Sequence, residues 1–242
     1  MGTAAPLTDK TVLITGASSG IGWAAAVAFA QHGANIVVTA RREQRLRELT
    51  GQLSRAGART LYLAGDAAEE STAKACVDLA VQSFGRLDVL INNAGLGNYK
   101  NLIDTSAAEY DELMDSNVRS GFLFSRYAVP VMVQQNSGQI LFISSVAGLQ
   151  GAAGESVYSA TKFAQIGFAQ SLDAELRKHG IKVGTICPGG VKSEFAVGRG
   201  RTEEAVQNSR MMDPREVADA IVFACMQPAN VRIPHMTVRH MG

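Results

Sequence analysis

A three-layer α/β fold is what the sequence predicts: a doubly wound parallel sheet of about seven strands with helices on both faces. Three observations carry it. Short β-branched runs alternate with longer segments of helical spacing. A glycine-rich turn, TGASSGIG at residues 15–22, joins the first such run to the first helical segment. The 242 residues, 46% of them hydrophobic, supply one sizeable core, so residues 1–242 read as one domain. Repeated strand-then-helix order implies parallel strands joined by crossover helices.

The first strand, residues 11–14, runs directly into the turn. Glycine at 16, 20 and 22 permits a tight bend and a close approach of backbone to a ligand. The helix behind it, residues 21–31, presents unpaired N–H groups and a positive dipole end suited to a pyrophosphate. Taken alone, the turn is equally a plain strand-to-helix connection with Gly22 there for packing. Strands at 36–39, 60–63, 89–91, 140–143 and 181–186 follow, with helices at 42–55, 69–84, 107–134 and 155–179 and a last short strand at 236–238. Ligands of such sheets sit beyond the carboxyl ends of the strands, so the residues after each strand are the candidates for chemistry. Residues 192–213, containing Gly198-Arg199-Gly200-Arg201, form one long irregular stretch of the kind used as a substrate lid.

Charge and cysteine usage narrow the function classes. A net charge of +1, mixed in sign along the chain, gives neither a nucleic-acid stripe nor a basic membrane face, which points to a small-molecule partner. Cys76, Cys187 and Cys225 are far apart and in no metal-binding spacing, so they read as reduced and buried, with no metal site. His32, His179, His235 and His240 have no motif around them. Residues 1–10 hold no apolar signal region and no apolar run reaches membrane-spanning length, so the expected location is cytoplasmic.

Several stretches recur in a telling order: the turn with its GxxxGxG spacing, Asp66 after the third strand and Asn92-Asn93-Ala94-Gly95 after the fourth. Ser144-Ser145 follows the fifth, then Tyr158-Ser159-Ala160-Thr161-Lys162, and Pro188-Gly189 follows the sixth. In these the chain resembles the short-chain dehydrogenase/reductase family from residue 11 to about residue 195. The resemblance implies a Rossmann fold, a nicotinamide cofactor, and hydride transfer between an alcohol and a carbonyl compound. It implies that Gly16, Ser18, Ser19, Gly20 and Ile21 lie under the cofactor phosphates, that Asp66 and Ala67 flank the adenine, and that Asn93, Ala94 and Gly95 line the adenosine ribose. Asn92 looks like the family's asparagine tying neighbouring strands together. Pro188, Gly189, Val191 and Ser193 are similar to the segment that meets the nicotinamide carboxamide, with Ser193 in place of the usual threonine. Asn117 looks like the asparagine that bends the helix at 107–134 and holds a water beside the catalytic lysine. Assembly as a homodimer or homotetramer through the helices at 107–134 and 155–179 is implied by the same analogy.

The residues add their own chemistry. The second strand ends Ala40-Arg41-Arg42, without the acid that selects a ribose 2′-hydroxyl and with guanidinium groups suited to a 2′-phosphate, which points to NADP(H). Arg41 stands nearer the strand end; Arg42 also reads as the start of a solvated helix. Tyr158 and Lys162, four apart in a helical segment, share one face. A free tyrosine titrates near about 10, and Lys162 is the cation that would favour its phenolate. By the resemblance, Lys162 also holds the nicotinamide ribose. Ser145 stands thirteen residues before Tyr158, the family's separation, and strand alternation turns Ser144 the other way. The catalytic set is therefore Asn117, Ser145, Tyr158 and Lys162. Residues 96–99, 146–149, 151–155 and 189–212 are expected to wall the substrate pocket, and their small or apolar character suggests an uncharged carbonyl compound. Glu155 reads either as a contact to an amine or hydroxyl or as a first-turn acid; Arg199 and Arg201 read either as a clamp on an anion or as a solvated loop. Two alternatives stay open, a 3-oxoacyl thioester reductase and a non-catalytic NADPH-binding regulator.

Overall fold

The computed structural model describes residues 7–241. Seven strands form one sheet: β1 (Thr11–Thr15), β2 (Asn35–Ala40), β3 (Thr60–Ala64), β4 (Val89–Asn92), β5 (Gly138–Ile143), β6 (Ile181–Pro188) and β7 (His235–Val238). Their order is β3-β2-β1-β4-β5-β6-β7 and every pairing is parallel. The order reverses between β1 and β4, where Leu13 lies between Val37 and Leu90, and a crevice opens there beyond the strand ends.

Strand alternation feeds two separate cores. Val12, Ile14, Ile36, Val38, Leu141 and Ile143 pack to one side, against α1 (Gly20–Gln31), α2 (Glu43–Arg55) and α8 (Pro214–Cys225). Leu13, Val37, Leu90, Ile140 and Phe142 pack to the other, against α3 (Glu70–Phe84), α5 (Ser120–Gln135) and α6 (Ser156–Leu176). Because both faces are covered, the central strands are apolar at nearly every position, which is why they read as runs rather than as alternations.

Three segments differ from the sequence expectation. The helix expected over 107–134 is two helices, α4 (Ala107–Met114) and α5, joined by a π-helical turn at Asp115–Arg119. Within that turn the Asn117 carbonyl accepts a hydrogen bond from the Gln165 amide of α6 at 2.6 Å. Helix α8 was not anticipated, although its start signal is in the sequence: Asp213 caps it, Pro214 opens it, and Glu216 completes a reciprocal capping box. The stretch at 192–213 is not wholly irregular either. It contains the short helix α7 (Glu203–Gln207), and its neck is clasped by pairing of Val191 with Met212.

At the opposite end of the sheet from the crevice, Asp88 gathers the strand starts. Its buried carboxylate accepts hydrogen bonds from the Thr11 amide (2.9 Å), the Lys10 ammonium (3.1 Å) and the Arg86 guanidinium (2.7 and 2.6 Å). Burial alone would raise its pKa, but Arg86, the Thr11 N–H and Lys10 outweigh it and hold the carboxyl below its ordinary value. A depressed folded-state pKa contributes stability above the unfolded value near about 4, and that stability is lost as pH falls through the folded value. Asp88→Asn should therefore cost about 2 kcal/mol at neutral pH and flatten the acid limb of the stability curve, measured by denaturant unfolding from pH 7 downward. An unchanged acid limb would contradict this role.

Candidate active site

The crevice begins at the glycine turn. Gly16 (φ +66°) and Gly20 (φ +56°) occupy the left-handed region, and a Cβ on Gly16 would lie 2.8 Å from the Ala94 Cα. That crowding is the junction of two turns. The Thr15 hydroxyl accepts from the amides of Asn93 (3.0 Å) and Ala94 (2.9 Å), and the Asn93 side chain donates back to the carbonyls of Thr15 (2.9 Å) and Gly16 (3.1 Å). The ends of β1 and β4 are thus locked together. Asn92 does not tie strands: its amide donates to the Ser125 hydroxyl of α5 at 3.2 Å, because the side chain faces the helix layer.

Behind the turn, the N-cap residue of α1, Ser19, makes no side-chain cap. Its hydroxyl and that of Ser18 accept instead from Arg42, whose Nη2 lies 2.8 Å and 3.0 Å away; Nη1 donates to Glu194 at 2.6 Å. Arg41, the residue favoured by its position in the sequence, is mostly exposed and sits 4.0 Å from Asp66. A strand end at Ala40 without a carboxylate, a helix N-terminus without a side-chain cap and a guanidinium folded over two hydroxyls together fit an anionic phosphate ligand.

The other end of the cavity is built by β5 and α6. Both Ser144 and Ser145 border the cavity, but the Ser144 hydroxyl is committed to the Lys162 carbonyl at 3.0 Å, whereas that of Ser145 accepts from the Ala147 amide. Tyr158 and Lys162 are both buried. The Tyr158 ring lies between Tyr99 and Phe195, with centroids 5.8 and 5.9 Å away. Lys162 Nζ is 5.7 Å from the Tyr158 ring and donates to the Ile143 carbonyl (2.9 Å) and to Gln165 (3.2 Å). Burial lowers the Lys162 pKa to about 8, with Cys187 acting weakly the other way.

The expectation that Lys162 depresses the tyrosine pKa is not met in this structure. Burial raises Tyr158 well above the ordinary phenol value, and Tyr99 and Glu155 add to the rise; Ser145 and Arg201 oppose it. Desolvation of a phenolate outweighs a cation whose bonds go elsewhere, so Tyr158 is a protonated phenol at neutral pH. Asn117 is fully buried and does not line the cavity. Its side chain accepts from the Leu96 amide (2.6 Å) and donates to the Leu96 carbonyl and the Thr161 hydroxyl (2.9 Å each), fixing the loop after β4. Its carbonyl is linked to Lys162 by the Gln165 side chain. Gln165 is the residue sequence reasoning missed; its signal was its position three residues after Lys162 on the same helix.

Apart from Asn117, every expected site residue lines one cavity of about 540 Å³: Gly16, Ser18, Ser19, Gly20 and Ile21 at the turn; Arg41, Arg42, Asp66 and Ala67 at one end; Asn93, Ala94 and Gly95 in the middle; Ser145, Tyr158, Lys162, Pro188, Gly189, Val191 and Ser193 at the other. Of the expected substrate walls, Val146, Ala147, Glu155, Leu96, Gly97 and Tyr99 reach it, while Leu149 is exposed. The lid contributes Phe195 through Val197, Arg199 and Arg201. Neither arginine is a solvated loop residue. Arg199 makes a forked pair with Glu112 at 2.7 and 2.9 Å, and Arg201 donates to the Tyr99 hydroxyl at 2.9 Å.

Comparison with known proteins agrees with this geometry. The family model for short chain dehydrogenases matches residues 10–204. A Thermotoga maritima protein called an uncharacterized oxidoreductase is 38% identical over 231 residues, 91% of each chain. Among solved structures, a metagenomic short-chain oxidoreductase in complex with NADP superposes with a TM-score of 0.85 at 30% identity, over 98% of this chain and 99% of that one. The closed form of a serine dehydrogenase complexed with NADP+ gives 0.88 at 30% identity over 94% of each. With the doubly wound sheet, the locked glycine turn and the buried tyrosine and lysine in one cavity, this chain belongs to the short-chain dehydrogenase/reductase family of oxidoreductases.

Proposed function

We propose that the protein is an NADP(H)-dependent oxidoreductase that reduces an aldehyde or ketone to an alcohol, or runs the reverse reaction, with Tyr158 as general acid and base. The observation that carries this reading is the single cavity that joins the Arg42-covered glycine turn to the buried Tyr158, Ser145 and Lys162. The two NADP-bound relatives support the choice of cofactor.

In this reading the α1 N-terminus and residues 16–21 hold the cofactor phosphates, Arg42 and Arg41 the 2′-phosphate, and Asp66 and Ala67 the adenine. Asn93, Ala94 and Gly95 border the ribose, and Pro188, Gly189, Val191 and Ser193 the carboxamide. When bound, NADPH supplies hydride for the carbonyl carbon. Ser145 and Tyr158 hold the carbonyl oxygen through their hydroxyls, and Tyr158 donates its proton as negative charge develops there. Burial keeps Tyr158 in the protonated form from which donation must start. Lys162 restores the proton and stabilises the transient phenolate, and Gln165 and Asn117 hold its ammonium in place. Phe122 and Phe163, exposed on α5 and α6, are apolar surface for the proposed homo-oligomer contact.

Two substitutions test the assignment. Tyr158→Phe should lower kcat by about 10²–10⁴-fold while NADPH still binds in a fluorescence titration; turnover within tenfold of wild type would remove Tyr158 from this role. Arg42→Ala should raise the NADPH KM by about tenfold or more with little change for NADH, whereas Arg41→Ala should have the smaller effect. Equal losses for both cofactors would contradict a 2′-phosphate site at Arg42.

A further inference from the structure

The lid carries its two arginines into different surroundings. Gly198 (φ +77°) and Gly200 (φ +100°) both take left-handed backbone, and a Cβ on Gly200 would strike Tyr99 Cβ at 2.5 Å. The lid is therefore pressed against Tyr99, whose amide donates to the Arg199 carbonyl at 2.9 Å. Both arginines line the cavity, but Glu112 neutralises Arg199, whereas the Arg201 guanidinium lies 4.8 Å from the Tyr99 ring centroid.

Arg201 has no carboxylate within ion-pair distance among the described residues; its partner is the neutral Tyr99 hydroxyl. The cavity holds a matching charge of the other sign. Glu155, the N-cap residue of α6, makes no capping hydrogen bond, forms no ion pair among the described residues, and lines the same space. Burial raises its carboxyl pKa, and the field of Arg201 acts against that rise. Both charges also act on Tyr158, in opposite directions. A cation and a carboxylate that face one half-buried cavity without meeting are each incompletely compensated.

Building on the oxidoreductase reading, we infer that the substrate is dipolar: a hydroxy or oxo compound bearing a carboxylate bound by Arg201 and an ammonium group bound by Glu155, with the reacting carbon between them at Tyr158. This departs from the uncharged carbonyl compound suggested by the small and apolar wall residues. A planar guanidinium suits a forked carboxylate pair, and Tyr99 holds it flat for that purpose. The reaction balances with the family cofactor alone when written as reduction: NADPH would supply hydride to the carbonyl carbon, and the protonated Tyr158 would give its hydroxyl proton to the carbonyl oxygen.

Recognition is read apart from turnover by calorimetric titration of the NADPH-loaded protein with hydroxy compounds, which cannot accept hydride. The probes are 4-amino-3-hydroxybutanoate and 3-amino-2-hydroxypropanoate (dipolar), 3-hydroxybutanoate (carboxylate only), 1-amino-2-propanol (ammonium only) and 2-butanol (neutral). The inference predicts that a dipolar probe binds at least about tenfold tighter than 2-butanol. Arg201→Ala should reduce the preference for carboxylate-bearing probes over neutral ones by about tenfold or more, and Glu155→Gln the preference for ammonium-bearing ones. Melting curves and NADPH titration report whether each variant is folded. Binding of 2-butanol as tight as the dipolar probes, no binding by any probe, or variants that weaken all probes equally would overturn it. NADP(H)-linked turnover of neutral carbonyls without dipolar preference sinks the inference and spares the oxidoreductase reading. Arg201-dependent dipolar binding with no turnover of any carbonyl or alcohol does the reverse.

Discussion

The burial of one ammonium group organises this molecule. Lys162 lines the cavity with its side chain buried, a placement that costs several kcal/mol unless fixed partners replace the solvent. The Ile143 carbonyl at the end of β5 and the Gln165 side chain are those partners. Gln165 in turn donates to the carbonyl of Asn117, which lies in the π-helical turn between α4 and α5. A break in a helix, a glutamine on the next helix and a strand end are thus linked to one buried charge. The same network sets the Leu96 loop, because the Asn117 side chain grips its backbone on both sides.

The second constraint is the junction of the turns after β1 and β4. Thr15 and Asn93 exchange hydrogen bonds across the point where the strand order reverses, so the glycine turn is held by its neighbour. Parallel order places both turns, the end of β5 and the end of β6 on one edge of the sheet. Dinucleotide-sized space along that edge, with phosphate-type donors at one end and a buried acid at the other, follows from the topology.

Most of the strands and the principal site residues were legible in the sequence because they rest on local signals: β-branched runs, glycine spacing, and a tyrosine and lysine one helical turn apart. What the sequence left obscure depends on contacts between distant segments. The π-helical turn at Asp115–Arg119 carries a hydrogen bond from Gln165, 48 residues on, which no local propensity encodes. Arg42 reads as a helix-start residue until the fold brings Ser18, Ser19 and Glu194 to it. The raised pKa of Tyr158 reflects full burial between Tyr99 and Phe195, which overrides the lysine effect inferred from spacing alone. Helix α8 is different: its start signal, Asp213 with Pro214 and Glu216, is local and stands in the sequence.

The central claim is that buried, protonated Lys162 sustains proton donation in a nicotinamide-linked reaction. Its most direct test is the pH dependence of kcat/KM for NADPH-linked carbonyl reduction, which reports the free protein's essential groups. Lys162 is charged below its pKa of about 8 and loses that charge as pH rises through it. The account predicts an alkaline limb near pH 8 in the wild type, shifted by Gln165→Leu, which removes a partner of the ammonium. A profile flat to about pH 10, the ordinary range of an unperturbed lysine or tyrosine, or one that Gln165→Leu leaves in place, would contradict it.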